Sequence, residues 1–307
     1  MARLVSCRHT ASFFFLVLLY AGNSLGAPAD PPDYTYRSNP SEVRLTFSAL
    51  DQNSHGVATL QASDFAVVDK DIIVRNFQSF TRSDWTKLEI SVLVDTSESI
   101  TPRFRQEIAE ALELVSETAG VPDENLSVFS FRASQPAILC AEDCRASRAV
   151  EHLPVRSGGL TPLFDTVTFA SDFLAKHGDP HAEKVLILFS DGEDTVSRHS
   201  LGDAIDAALD ADVQIHCIDL NHRSLSLQGV SVLHNLANAT GGRYFPAQDG
   251  ATQAMNVILE GYRATYTVSY RLPSHASGFH DVRILPTHNL NLQFHCRSGY
   301  YYPHYIR

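Results

Sequence analysis

Residues Val185-Leu186-Ile187-Leu188-Phe189 form an apolar run with no polar alternation. A strand with one face in water alternates apolar and polar side chains. Five apolar residues in a row therefore predict a central strand of a parallel sheet, covered on both faces. The flanking sequence agrees. Leu88 to Val94 reads as a strand that stops abruptly at polar residues, with Leu126 to Phe131 and Val213 to Ile218 as further strands. Between them Phe104, Ile108, Ala111, Leu112 and Val115 follow helical spacing behind Pro102, a residue suited to a helix start. Leu163 to Leu174, Leu201 to Leu209 and Val232 to Ala239 read as later helices, the last ended by Gly241-Gly242. Such alternation predicts an α/β fold, a doubly wound and mostly parallel sheet with helices on both sides.

The two ends of the chain read differently. From Glu42 to Phe80 the pattern is β-like: Val43, Leu45 and Phe47 share one face, and Phe65, Val67 and Ile73 mark later strands. Strand patterns return after Ala264, in Thr265 to Tyr270, Val282 to Leu285 and Leu290 to Phe294, before Gly299-Tyr300-Tyr301-Tyr302. Chain termini often lie close together, so both ends are expected to pair into one small accessory sheet. The expected organisation is a leader at 1–26, a β-rich segment at 27–85, the α/β domain at 86–262 and a second β-rich segment at 263–307. Asp51 to Gly56 resembles the first half of a calcium-binding loop. Ala62 stands where such a loop requires Glu, so a hairpin turn explains these residues better.

Arg3 and Arg8 precede the apolar Ser12 to Ala21, and Ser24-Leu25-Gly26 supplies small residues for cleavage before Ala27. This pattern predicts a secretory signal peptide and a soluble mature protein in the periplasm or outside the cell. An uncleaved N-terminal anchor is the alternative. Without Cys7 the cysteines are Cys140, Cys144, Cys217 and Cys296, which allow three pairings. Cys140 and Cys144 suit a local disulfide in an oxidising compartment, while Cys217 in its apolar run fits a buried free thiol equally well. The formal net charge of −11 argues against nucleic acid, whose binders need a basic surface.

Ligands in an open α/β sheet gather at the carboxyl ends of the strands. Two strands here end in acidic, hydroxyl-rich loops, Asp95-Thr96-Ser97-Glu98-Ser99 and Ser190-Asp191-Gly192-Glu193-Asp194. Between them, Gly158-Gly159-Leu160-Thr161-Pro162 leads into a helix. A hard divalent cation takes oxygen ligands, about six for magnesium. Alternate residues of a tight loop turn one carboxylate and two hydroxyls towards a common centre. Neutral hydroxyls leave such an ion under-neutralised and open to a further carboxylate. Taken singly, each element also reads as a helix cap or a turn. Asp165 and Asp194 read as helix-start acids.

Together the three loops resemble the metal-ion-dependent adhesion site of von Willebrand factor A domains. The resemblance assigns Asp95, Ser97 and Ser99 to the first loop, Thr161 to the second and Asp191 to the third. The wider layout resembles the VWFA-related proteins common in acidobacteria, which share a signal peptide, a Leu-x-x-x-Asp-Phe element (here Leu60 to Phe65) and a Gly-Tyr-Tyr ending. It implies bound magnesium or manganese and a protein partner that offers an Asp or Glu carboxylate. It implies no enzyme activity. The rival readings are a structural envelope scaffold and a hydrolase with metal-activated water. Against the hydrolase, no candidate base stands out, Ser97 occupies the place of the second Asp of a haloacid dehalogenase-type phosphatase, and Gly-x-Ser-x-Gly, His-Glu-x-x-His and Gly-x-x-x-x-Gly-Lys motifs are absent.

Overall fold

The computed structural model describes residues 42–53, 55–83, 87–97, 102–118, 125–132, 135–140, 159–179, 182–219, 227–262 and 265–302. The N-terminal part supplies β1 (Glu42–Leu50), β2 (Phe65–Asp69), β3 (Ile72–Val74) and β4 (Ser79–Ser83). The central part follows with β5 (Leu88–Asp95), α1 (Pro102–Thr118), β6 (Leu126–Arg132), β7 (Gln135–Cys140), α2 (Leu163–His177) and β8 (Glu183–Ser190). It continues through α3 (Leu201–Asp210), β9 (Val213–Asp219), α4 (Leu227–Thr240), β10 (Tyr244–Phe245) and α5 (Ala251–Tyr262). The last strands are β11 (Thr265–Arg271), β12 (Gly278–Pro286), β13 (Gln293–Cys296) and β14 (Gly299–Tyr302).

The central sheet runs β10-β9-β8-β5-β6-β7, parallel except for β7, which turns back antiparallel on β6. Strand β8 lies between β5 and β9, and Val185 to Phe189 are fully buried, as the unbroken apolar run requires. Each such side chain contributes about 1.5–3 kcal/mol by leaving water. Alternate side chains feed two cores. Val185, Ile187 and Phe189 join Ile90, Val92 and Val94 against α1 and α5. Leu186 and Leu188 join Leu93 against α2, α3 and α4. The fold is the predicted doubly wound α/β sheet. From β5 the chain first adds β6 on one side and later β8 on the other, so the strand order reverses between β5 and β8. Crevices in open α/β sheets form at the carboxyl ends of such strands.

The chain ends build two antiparallel sheets rather than the expected one. Their orders are β13-β1-β11-β4 and β14-β12-β2-β3. Strand β1 pairs with β11 from Glu42 opposite Arg271 to Ser48 opposite Thr265, so the two ends meet as expected. The second sheet exists because β2 and β12 also carry an apolar face. Val43, Leu45, Phe47 and Tyr266 from one sheet close on Phe65, Val67 and Ile284 from the other in a shared core. The strand expected from Leu290 begins only at Gln293. Asn289 accepts the Leu292 and Asn291 N–H groups and makes a turn there, which leaves Leu290 exposed. The turn reading of Asp51 holds: its carboxylate accepts the N–H groups of Asn53 (2.8 Å) and His55 (2.9 Å).

The β13–β14 connection hooks onto helix ends of the α/β layer. Arg297 pairs with Asp212 and donates to the Leu209 carbonyl (3.3 Å). Ser298 donates to the Ala239 carbonyl through its N–H (2.9 Å) and its hydroxyl (2.7 Å). Carbonyls at helix C-termini lack internal partners, and cations there are favoured. Tyr301 donates to Asp206 (3.0 Å), and Tyr300 is buried, in line with a packing role for the terminal tyrosines. Cys217 and Cys296 are both free thiols; burial pushes Cys217 up strongly and Cys296 up to about 12. Cys144 and the Cys140 side chain lie outside the described residues, as does the leader.

His216 of β9 is a satisfied core histidine, and its hydrogen bonds fix its tautomer. The Arg243 N–H donates to Nδ1 (3.1 Å), so Nε2 carries the proton and donates to Tyr262 (2.9 Å), which in turn donates to Gln214 (2.5 Å). Burial, then the neighbouring charges of Arg243 and His295, push this imidazole from 6.5 down to about 3. Above pH 6.5 the folded and unfolded chains hold the same protons at His216. Below it the unfolded chain takes a proton that the folded one refuses. Stability therefore falls by about 1.4 kcal/mol per pH unit from 6.5 towards 3. Urea unfolding between pH 7 and 5 is expected to show a shallower acid limb in His216→Gln than in the parent. Identical slopes would contradict this account.

Candidate metal centre

Strand β5 ends at Asp95 and β8 at Ser190, side by side at the switch point. The Asp95 carboxylate is almost fully buried and accepts three hydrogen bonds from Ser97 and Ser190. Ser97 donates to Oδ1 through its N–H (2.9 Å) and its hydroxyl (2.7 Å), which folds the first loop back over the strand end. Ser190 Oγ donates to Oδ2 (2.9 Å), joining the first loop to the third. Ser190 itself accepts the Gly192 N–H (3.1 Å) and so shapes the turn that carries Asp191. Sequence reasoning passed over Ser190. Its signal was a lone hydroxyl closing an otherwise apolar strand, immediately before the acidic loop.

The third loop has little freedom. Gly192 has φ +81°, and a Cβ there would sit 2.2 Å from the Gly229 carbonyl oxygen of α4. Only glycine tolerates both the left-handed backbone and that approach. Asp191 is partly exposed beside this turn, and its Oδ1 accepts the Glu193 N–H (3.0 Å).

The second loop is fastened to the third. The Thr195 N–H donates to the Thr161 carbonyl (2.9 Å), and the Thr161 N–H donates to Thr195 Oγ1 (2.6 Å). Asp194 accepts the Phe164 N–H at the start of α2 (3.3 Å) and the Ser197 hydroxyl (2.5 Å). Asp165 accepts the N–H groups of Arg198 (3.0 Å) and His199 (2.9 Å) and contacts the His199 ring (2.8 Å). Against the cost of its burial, these donors hold the Asp165 carboxyl below the usual range. Both acids thus organise helix starts and loops, in line with the sequence reading.

Of the predicted ligand residues, Asp95 and Ser97 are in direct contact, and Asp191 and Thr161 sit on loops fastened to them. Ser99 lies outside the described residues. Among the described residues no group of three His, Cys, Asp or Glu side chains converges on a metal position. The donors here are instead two carboxylates and neutral hydroxyls, which suits a hard cation and not zinc-type nitrogen or sulfur ligation. One observation bears on the fit. Thr161 is 5% exposed, and its hydroxyl is not engaged by another side chain among the described residues. A hydroxyl free of protein partners is available to a cation's oxygen shell.

Several solved structures are similar at low identity. Proximal thread matrix protein 1 from the mussel byssus is 15% identical with a TM-score of 0.47, over 63% of this chain and 51% of that one. A structure of the same mussel protein "with zinc occupied MIDAS motif" is 17% identical, with a TM-score of 0.45, over 58% and 48%. A von Willebrand factor type A protein from Catenulispora acidiphila is 10% identical, with a TM-score of 0.45, over 86% and 75%. This chain spans about half the length of the mussel protein. A comparison with curated proteins found no match. The sequence profile of the von Willebrand factor type A domain matches residues 89–257, from the second residue of β5 into α5 and over more than half of the 307 residues. The chain belongs to the von Willebrand factor type A domain family.

Proposed function

We propose that this protein is an exported, non-enzymatic binding module that captures a protein partner through a divalent cation. Asp95, Ser97, Ser99, Thr161 and Asp191 would hold magnesium or manganese. The ion supplies an under-neutralised electrophile that takes a carboxylate from the partner. The observation that carries this reading is the fastening of the Thr161 loop to the acidic third loop, and of that loop to Asp95 through Ser190. Asp95 and Ser190 hold the strand ends in register, and Gly192 fixes the turn that presents Asp191. The family typically mediates metal-dependent protein binding. The export assignment rests on the pattern of residues 1–26, and the A domain is assigned to 86–262. No helix among the described residues is long and apolar enough to cross a membrane.

The test is capture from envelope extract with magnesium, repeated with chelator and with Thr161→Ala. This substitution deletes one hydroxyl and leaves the charge unchanged. The fold is held by cores remote from Thr161, so the circular dichroism spectrum is expected to stay the same while most metal-dependent capture is lost. Capture indifferent to chelator, or undiminished in Thr161→Ala, would favour a scaffold whose contacts lie elsewhere.

A further inference from the structure

A second polar site lies far from the candidate metal loops in sequence, where the terminal strands meet the α/β layer. A cleft with about 20 Å³ of free space is walled by Arg243, His295, His216, Tyr262, Phe47 and Gly261. Such a space holds one or two waters or a group of similar size, and no segment of polypeptide. Two of its polar groups have no partner. Arg243 Nη1 is buried without a hydrogen bond, and its guanidinium pairs with no carboxylate; it lies over the Phe245 ring at 5.2 Å. His295 likewise makes no side-chain hydrogen bond. His216 and Tyr262 are not free, because their hydrogen bonds are used within the chain running to Gln214.

Arg243 is only partly buried, but its Nη1 is cut off from water without a partner, which costs free energy that a bound acceptor would recover. This chain has 35 acidic residues against 24 lysines and arginines, so carboxylates are not scarce. Among the described residues none stands against Arg243. Burial pushes His295 down to about 4 and His216 to about 3, so both are neutral hydrogen-bonding groups at neutral pH, and among the described residues Arg243 is the cleft's one cation.

We propose that this cleft binds one small monocarboxylate of one or two carbons. Arg243 supplies the charge and His295 a ring N–H. A guanidinium matches a planar two-oxygen anion better than a spherical one. Leu50 and Val257 offer an apolar wall for a methyl group. The bound anion would neutralise Arg243 and tie the terminal sandwich to the α/β layer.

Thermal unfolding of the full chain tests this. Sodium gluconate, too bulky for the cleft, is replaced stepwise by formate or acetate at constant ionic strength. Excess chelator is present throughout, so that no carboxylate can gain from a metal ion at Asp95. Acetate is expected to raise Tm saturably by about 2–4 °C. Arg243→Gln should abolish the rise. Gly261→Leu is the second variant: Gly261 lines the cleft and an added Cβ there meets nothing within 4 Å, so the larger side chain can be carried at the cleft's opening while Arg243 stays in place. It should abolish the rise too. No response in the parent, or the parent's response retained in either variant, would overturn the proposal.

Discussion

Asp95→Ala is expected to weaken magnesium binding by more than the roughly 10–100-fold loss typical of removing an outer-shell partner. Asp95 is the one carboxylate of the described part of the first loop, and it is buried where its charge is poorly screened. It also holds the site together without metal, by accepting the Ser97 N–H, the Ser97 hydroxyl and the Ser190 hydroxyl. Removing it leaves these buried donors unpaired, at about 1–3 kcal/mol for each group that water cannot reach. The substitution should therefore lower stability as well as affinity. Ser190→Ala separates the two effects, because it breaks the link to the third loop and removes no proposed ligand. Titration calorimetry should show a far smaller affinity loss for Ser190→Ala than for Asp95→Ala. Equal losses would make Asp95 a structural acceptor, and unchanged affinity in Asp95→Ala would remove it from the ligand set.

The sequence was most informative where burial leaves a periodic trace. The run at Val185 to Phe189 specified a doubly covered strand, and β8 is that strand. The edge strand β10 has two residues, too short for any period to register. Helix α5 was absent from the expectations, although Ala251, Ala254, Met255, Ile258, Leu259 and Tyr262 bury one face at regular helical spacing. Two of those six residues are alanines, and Gly261 interrupts the end, so the apolar signal is faint. The second terminal sheet was missed for a different reason. Pairing such as Ile284 opposite Val67 joins residues more than two hundred positions apart, and no local pattern encodes it. At the candidate site, the residues that offer oxygen atoms were legible from loop composition. Those that position the loops were not: Ser190, Thr195 and Gly229 act through contacts between loops distant in sequence.

The same limit hides the polar knot of the terminal sandwich, whose loss should be the largest single destabilisation. Asp69 on β2 is fully buried, as is His280 on β12. The Asp69 carboxylate accepts hydroxyl hydrogens from Tyr270 of β11 (2.9 Å) and Tyr300 of β14 (2.7 Å). His280 faces it through Nδ1 (3.1 Å) and faces the Ala276 carbonyl through Nε2 (2.7 Å). A carbonyl only accepts, so Nε2 carries a hydrogen. The Tyr300 hydroxyl also lies 3.3 Å from Nδ1. The arrangement is a buried histidine–carboxyl contact with two tyrosine donors, and it ties β11 of one sheet to β2, β12 and β14 of the other. Replacing such a network with apolar groups is often neutral, but removing one partner leaves the other buried polar groups without compensation. Asp69→Ala should therefore cost about 3–5 kcal/mol in urea unfolding. Asp69→Asn keeps an acceptor for one tyrosine and should cost less. Adding His280→Ala to Asp69→Ala should cost less than the sum of the single changes, because the stranded ring nitrogen is then gone. Additive costs, or a loss in Asp69→Ala below about 1 kcal/mol, would show that the four side chains do not act as a coupled unit.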